Sequence, residues 1–100
     1  MASARLFVYG TLRRGQANHR ELDGAPYLGR VTTAPRYAVI ESSGYPALIP
    51  GGTAVEGELY EVRGEALAEL DAFEGSGYVR APVTLADGST AAAYFLAGAR

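Results

Sequence analysis

The chain has 100 residues, of which 48% are hydrophobic and 20% charged, enough for one domain with a small core and too few for two. Its formal net charge of -2 speaks against a nucleic-acid partner held through phosphates, where a basic excess or a basic face is the rule. Without cysteine there is no disulfide framework, thiolate nucleophile or cysteine metal site, and the single histidine, His19, cannot build a zinc site alone.

Five residues precede the first apolar run at Leu6, too few for a signal peptide. No apolar stretch approaches the roughly 18 residues that a membrane span needs. The expectation is a single soluble, cytoplasmic domain over residues 1–100, with a small-molecule partner and neither nucleic acid nor membrane.

In chain order, "RLFVYG" has the aromatic and β-branched content of a strand, and its unbroken apolar run predicts a central strand buried on both faces. "TLRRGQANHRELDG" is polar and carries two glycines; Asn18 is a candidate N-cap for a short helical turn ending near Gly24. "YLGRVTTAPRYAVIES" reads as extended, with Pro35 making it an edge, a bend or two pieces. "SGYPALIPGG" reads as a loop, a brief strand and a second loop.

"AVEGELYEV" alternates, with Ala54, Glu56 and Glu58 against Val55, Gly57 and Leu59, which predicts a half-exposed strand. "GEALAELDAFEG" changes to helical period, with Leu67, Leu70 and Phe73 near one face and Gly75 as C-cap. "YVRAPVTL", "ADGS" and "TAAAYFL" form a hairpin around Asp87 and Gly88. Many strands and one good helix predict an α+β fold, a strongly curved or closed sheet of about six or seven strands with short peripheral helical turns.

Three places are candidates for chemistry. Glycine directly after a buried strand, at Gly10 and Thr11, leaves N–H groups without partners, and successive bare N–H groups form a concavity for a carboxylate or phosphate. An ordinary tight turn needing a small residue fits the same stretch. Arg13 and Arg14 read as a solvated face, and the phosphate-loop pattern "GxxxxGK[ST]" is absent. Glu74 follows Leu67 by seven and Leu70 by four, on or beside the apolar face, whereas Glu65 and Glu69 point away. A carboxylate at the margin of a core loses hydration, which raises its pKa toward neutrality; a helix that ends before Glu74 would instead leave it in water.

The third place is the Gly44, Tyr45, Pro46 stretch, read as a loop or simply a turn. Tyr9, Tyr45, Tyr78 and Arg80 read first as residues of the sheet with polar ends at its rim, and second as substrate contacts. Asp71 reads as solvent-facing or as a local acceptor, and Asn18 and His19 as helix-start residues.

Taken in order, "VYGTLRRGQANH", "GYPALIPG", "VEGELYEV" and "LDAFEGSGYVRAPV" resemble the gamma-glutamylcyclotransferase-like family, which includes AIG2-like plant proteins and gamma-glutamylamine cyclotransferases. The similarity runs over residues 6–96, and the "LDxFEG…YxR" pattern at its distance from "YGTL" makes it specific. The resemblance implies a small mixed β-barrel with peripheral helices and a pocket between the first-strand loop and the helix-end glutamate. Residues matching Tyr9, Gly10, Thr11 and Leu12 would hold substrate largely through backbone groups, with Tyr45, Tyr78 and Arg80 as further contacts. Glu74 matches the general acid/base.

The implied reaction is intramolecular: the α-amine of a γ-glutamyl group attacks its own γ-carbonyl, giving 5-oxoproline and a free amine or amino acid, with no cofactor and no metal. Relatives often carry further helices, loops or a tail over the pocket, whereas this sequence stops four residues after Leu96, so selectivity does not carry over. The competing expectation is a non-catalytic module on the same fold that binds an acidic metabolite.

Overall fold

The computed structural model describes residues 3–98. Its strands are β1 (Ser3–Val8), β2 (Tyr27–Thr32), β3 (Tyr37–Ser42), β4 (Tyr45–Pro50), β5 (Glu56–Arg63), β6 (Tyr78–Thr84) and β7 (Thr90–Leu96), and its main helix is α1 (Gly64–Glu74). Short 3-10 turns occupy His19–Leu22 and Gly75–Gly77.

All seven strands belong to one mixed sheet in the order β2-β5-β1-β7-β4-β3, with β6 also paired to β7. This is the curved α+β architecture expected from the sequence. A closed barrel is too strong a description, because the ladders follow an open path. One isolated bridge, Thr33 with Leu85, ties the end of β2 to the end of β6 where a ladder would close the sheet.

β7 is the hub. β6 pairs with it antiparallel from Tyr78↔Leu96 to Thr84↔Thr90, which occupies one edge along its whole length. The other edge is shared by two parallel neighbours, β1 at Leu6↔Ala92 and β4 at Leu48↔Phe95. Where β1 leaves that edge, β4 takes over.

The central position of β1 explains its apolar run. Leu6, Phe7 and Val8 are all buried, with Phe7 in a core shared by Leu48, Leu59, Val83 and Phe95. Leu6 and Val8 point the other way, into a core with Leu12, Leu22, Tyr60, Val62 and Tyr94. That second core is covered by α1, which follows β5 without a loop and buries Leu67 and Leu70 in it. Gly75 caps the helix with a positive φ of 75°, extended at ψ, and donates its N–H to the carbonyl of Asp71.

The extended stretch around Pro35 is two strands, β2 and β3, which is the two-piece reading of the sequence. Other expectations are corrected. Gly44, Tyr45 and Pro46 do not form a loop: Ser43 and Gly44, with φ of 52° and 84°, make a two-residue turn, and Tyr45 and Pro46 already belong to β4, with Tyr45 opposite Ser42. Phe73 is not a core residue; it is exposed at the end of α1. Asn18 precedes the 3-10 turn but makes no side-chain cap; its Nδ2 donates to Thr11 Oγ1 instead.

The alternation in β5 marks a close approach. A Cβ on Gly57 would fall against the carbonyl oxygen of Val8 and 2.7 Å from the Phe7 ring, so β5 lies tight on β1 where β1 enters the site. Gly57→Ala is therefore expected to cost about 1–3 kcal/mol of stability, read as a lower midpoint in denaturant unfolding. Gly52→Ala, at an exposed position with open space around the added carbon, serves as the control.

Candidate active site

The end of β1, the start of β4 and the end of α1 converge on a cavity of about 370 Å³. Tyr9, Gly10, Thr11, Leu12, Tyr45, Glu74 and Tyr78, seven of the eight residues singled out in the sequence, line it together. The eighth, Arg80, is not in the lining. Its Nε lies 3.1 Å from Asp71 Oδ1, on the carboxylate one helical turn before Glu74.

Tyr9 marks the seam where β1 gives way to β4. Its hydroxyl donates to the Tyr94 carbonyl at 2.7 Å and accepts the Leu48 N–H at 3.0 Å, so it joins β7 to β4. Burial pushes the phenol pKa far up, with the Leu48 N–H partly opposing this. The hydroxyl is thus occupied by main chain, and Tyr9 meets the cavity through its ring and backbone.

Beyond Tyr9 the loop directs its carbonyls into itself. Gly10 O accepts from the Arg13 N–H and Nε, both at 3.1 Å, and Thr11 O accepts from the Asn18 N–H at 2.9 Å. Leu12 O lies 2.9 Å from His19 Nδ1, which fixes the ring as the Nδ1–H donor. Asn18 also donates its side-chain amide to Thr11 Oγ1 at 2.9 Å. With those acceptors satisfied, the N–H groups of Gly10, Thr11 and Leu12 donate to no acceptor among the described residues.

Gly10 itself needs no special backbone. It is absent from the positive-φ residues, and a Cβ would sit 3.5 Å from the Pro46 ring, an ordinary contact. Its smallness keeps the face toward Pro46 clear.

Glu74 closes the other side as the last residue of α1. Its half-buried carboxylate has no hydrogen bond or ion pair among the described residues, and burial raises its pKa above the usual carboxylate range. The negative end of the helix dipole acts in the same direction. Tyr78 is half-buried nearby, its hydroxyl 3.3 Å from Pro46 O, and its pKa is raised by burial and then by the Glu74 charge.

Asp71 has the opposite surroundings. Its Oδ1 accepts the Tyr94 hydroxyl at 2.6 Å and faces Arg80, which ties the last turn of α1 to β6 and β7. Tyr94, buried in the second core and lining the cavity, is pushed far up by burial and by that bond to an anion. The sequence reading missed Tyr94 and Phe73 as lining residues. The Arg80 to Asp71 contact joins the two ends of "LDxFEG…YxR", and the motif's spacing was the available signal for it. Among the described residues there is no group of three His, Asp or Glu suited to a metal ion.

A small mixed sheet with bare loop N–H groups facing one unpaired, desolvated carboxylate defines a class of small-molecule site. The family model for gamma-glutamyl cyclotransferase, AIG2-like, matches residues 6–99, and the chain belongs to that family. A putative gamma-glutamylcyclotransferase of Vibrio cholerae is 45% identical over 69 residues, covering 69% of this chain and 60% of the relative. The gamma-L-glutamyl-butirosin B gamma-glutamyl cyclotransferase of Niallia circulans is 42% identical over 69% of this chain and 44% of its own length. The match thus spans roughly half the length of these curated relatives. A crystal structure of an AIG2-like protein from Mus musculus superimposes with a TM-score of 0.84 at 33% identity, covering 97% of this chain and 79% of that one.

Tyr9→Phe keeps the ring and removes the seam. It leaves the Leu48 N–H and the Tyr94 carbonyl without their partner in a dry place, an expected loss of about 1–3 kcal/mol. Denaturant unfolding measures it.

Proposed function

We propose that this protein is a gamma-glutamylcyclotransferase that releases 5-oxoproline and a free amine or amino acid from a γ-glutamyl substrate. The observation that carries the proposal is the unpartnered, desolvated carboxylate of Glu74 in one cavity with the bare N–H groups of residues 10–12. Family membership and the relatives that bear this activity in their names support it. One domain over residues 1–100, a cytoplasmic setting and the absence of a nucleic-acid partner belong to the same reading; the cysteine-free, mildly acidic composition is consistent with them. No helix among the described residues is long and apolar enough to cross a membrane.

The chemistry needs little besides shape and a proton carrier. In the bound γ-glutamyl group the α-nitrogen and the γ-carbonyl carbon already share one molecule, so holding the folded conformer supplies the orientation. Glu74 takes a proton from the α-ammonium, and the freed amine attacks the γ-carbon, forming the ring C–N bond and an oxyanion. As the oxyanion collapses, the original C–N bond breaks and Glu74 returns that proton to the departing nitrogen. The restored carboxylate then accepts the second proton of the ring nitrogen, leaving the neutral lactam, and passes it to the freed amine, which leaves as an ammonium ion. The loop N–H groups serve the α-carboxylate or the oxyanion, both of which want donors without a counter-charge. Tyr9, Leu12, Tyr45 and Tyr78 shape the space around them.

Glu74→Gln is expected to lower 5-oxoproline release by roughly 100-fold to 10,000-fold. A stable variant with full activity would remove Glu74 from the mechanism. A stable, inactive wild type that still binds γ-glutamyl compounds would favour the binding module instead.

Two pH effects follow from the raised pKa of Glu74. The rate should rise with pH through a limb lying above the ordinary carboxylate range of about 4.3, and that limb should vanish in Glu74→Gln. Stability goes the other way. Below the carboxylate range both folded and unfolded wild type hold the proton, so wild type and variant match. As pH rises past the unfolded value, the unfolded chain loses its proton first, and the wild type becomes the less stable of the two. Thermal unfolding of both proteins across pH reads this directly, and the half-exposed position of Glu74 keeps the gap small.

A further inference from the structure

We propose that the substrates of this site are γ-glutamyl amides whose departing amine carries an apolar, preferably aryl, group and no carboxylate. The proposal rests on the cyclotransferase reading and adds what the mouth of the cavity selects. Two rings stand there in solvent: Tyr45, 56% exposed at the start of β4, and Phe73, 42% exposed beside Glu74. Phe73 lies off the stripe of Leu67 and Leu70 that seats α1, so neither core claims its ring. The glutamyl head must reach the loop N–H groups and Glu74, which leaves the group on the far side of the scissile amide against these rings.

Charge sets the second half of the selection. Glu74 is the one charged residue among the described residues of the lining, and no arginine belongs to it. Arg13 holds the Gly10 carbonyl, Arg14 lies 4.5 Å over the Tyr27 ring, and Arg80 is on Asp71. A second carboxylate, on the departing amine, would lose hydration beside Glu74 with no cation in the lining to meet it. A flat apolar group gains contact with Phe73 and Tyr45 and leaves no polar atom unmatched.

Three compounds separate the two halves. γ-Glutamyl-benzylamide, γ-glutamyl-phenylglycine, which adds only a carboxylate, and γ-glutamyl-methylamide, which removes the ring, are compared by 5-oxoproline release from the whole protein. Ring contact of the usual strength gives the benzylamide a kcat/KM about tenfold above the methylamide, and the phenylglycine compound should fall below the benzylamide. The ring advantage should shrink toward one in Phe73→Ala and survive in Phe73→Tyr, with unfolding midpoints confirming that both variants fold. Equal turnover of the phenylglycine compound and the benzylamide, or a ring advantage unchanged in Phe73→Ala, overturns the proposal while the cyclotransferase reading stands. Calorimetric binding of N-benzylglutaramic acid and N-methylglutaramic acid, which lack the α-amine and cannot cyclise, covers the converse. If no amide is turned over yet the benzyl compound binds more tightly in a Phe73-dependent way, the cyclotransferase reading falls and the apolar subsite stands. No turnover and no binding preference removes both.

Discussion

The hydroxyl of Tyr9 is the contact on which the rest of the site depends. β7 has one edge for two parallel neighbours, and at the changeover from β1 to β4 a carbonyl and an N–H would face each other across a gap. A single phenolic oxygen, able to donate and accept at once, fills it. The β1 ladder ends at Val8, and the chain just beyond Tyr9 pairs with no strand. It turns at Gly10, directs its carbonyls back on Arg13, Asn18 and His19, and leaves three N–H groups bare. The polarity of the loop accompanies a changeover in which two strands share one edge of β7.

Two carboxylates one helical turn apart then divide the labour. Asp71 is held by the Tyr94 hydroxyl and the Arg80 guanidinium, so its charge is compensated and it anchors the end of α1. Glu74 has no such partner among the described residues, and desolvation raises its pKa. Neighbouring acids with environments this different are suited to different tasks, one to hold and one to transfer. With Arg80 on Asp71, no cation is among the described residues of the lining, and an anionic group of a ligand there meets neutral donors.

Much of this was legible in the residues. The strand of β1, the alternation of β5, the helix ending at Gly75 and the terminal hairpin all rest on local period or local turn chemistry, which neighbouring residues determine between themselves. The resemblance carried by "YGTL" and "LDxFEG…YxR" brought the loop and Glu74 together before any coordinates. Less legible were roles that depend on a partner far along the chain. Arg80 looked like a substrate contact because a charged residue on a strand near a motif has two plausible uses, and sequence alone does not say that Asp71 points at it. Phe73 looked like core because helical spacing near a C-terminus does not tell where the covering surface stops.

By itself, the sequence determined most of the strand segments, the helix and the order of those elements, while the pairing of the glycine loop with Glu74 was what the resemblance implied. The segments depend on side-chain size, period and turn propensity within a few residues. Tertiary structure alone decided that the Tyr9 hydroxyl bridges Tyr94 and Leu48, positions 85 and 39 residues away from it. It also decided that Gly57 must be bare because the Val8 carbonyl lies against it, and that Glu74 keeps no partner while Asp71 takes two. Each depends on strand register and helix placement, and register is fixed by the packing of the whole sheet at once.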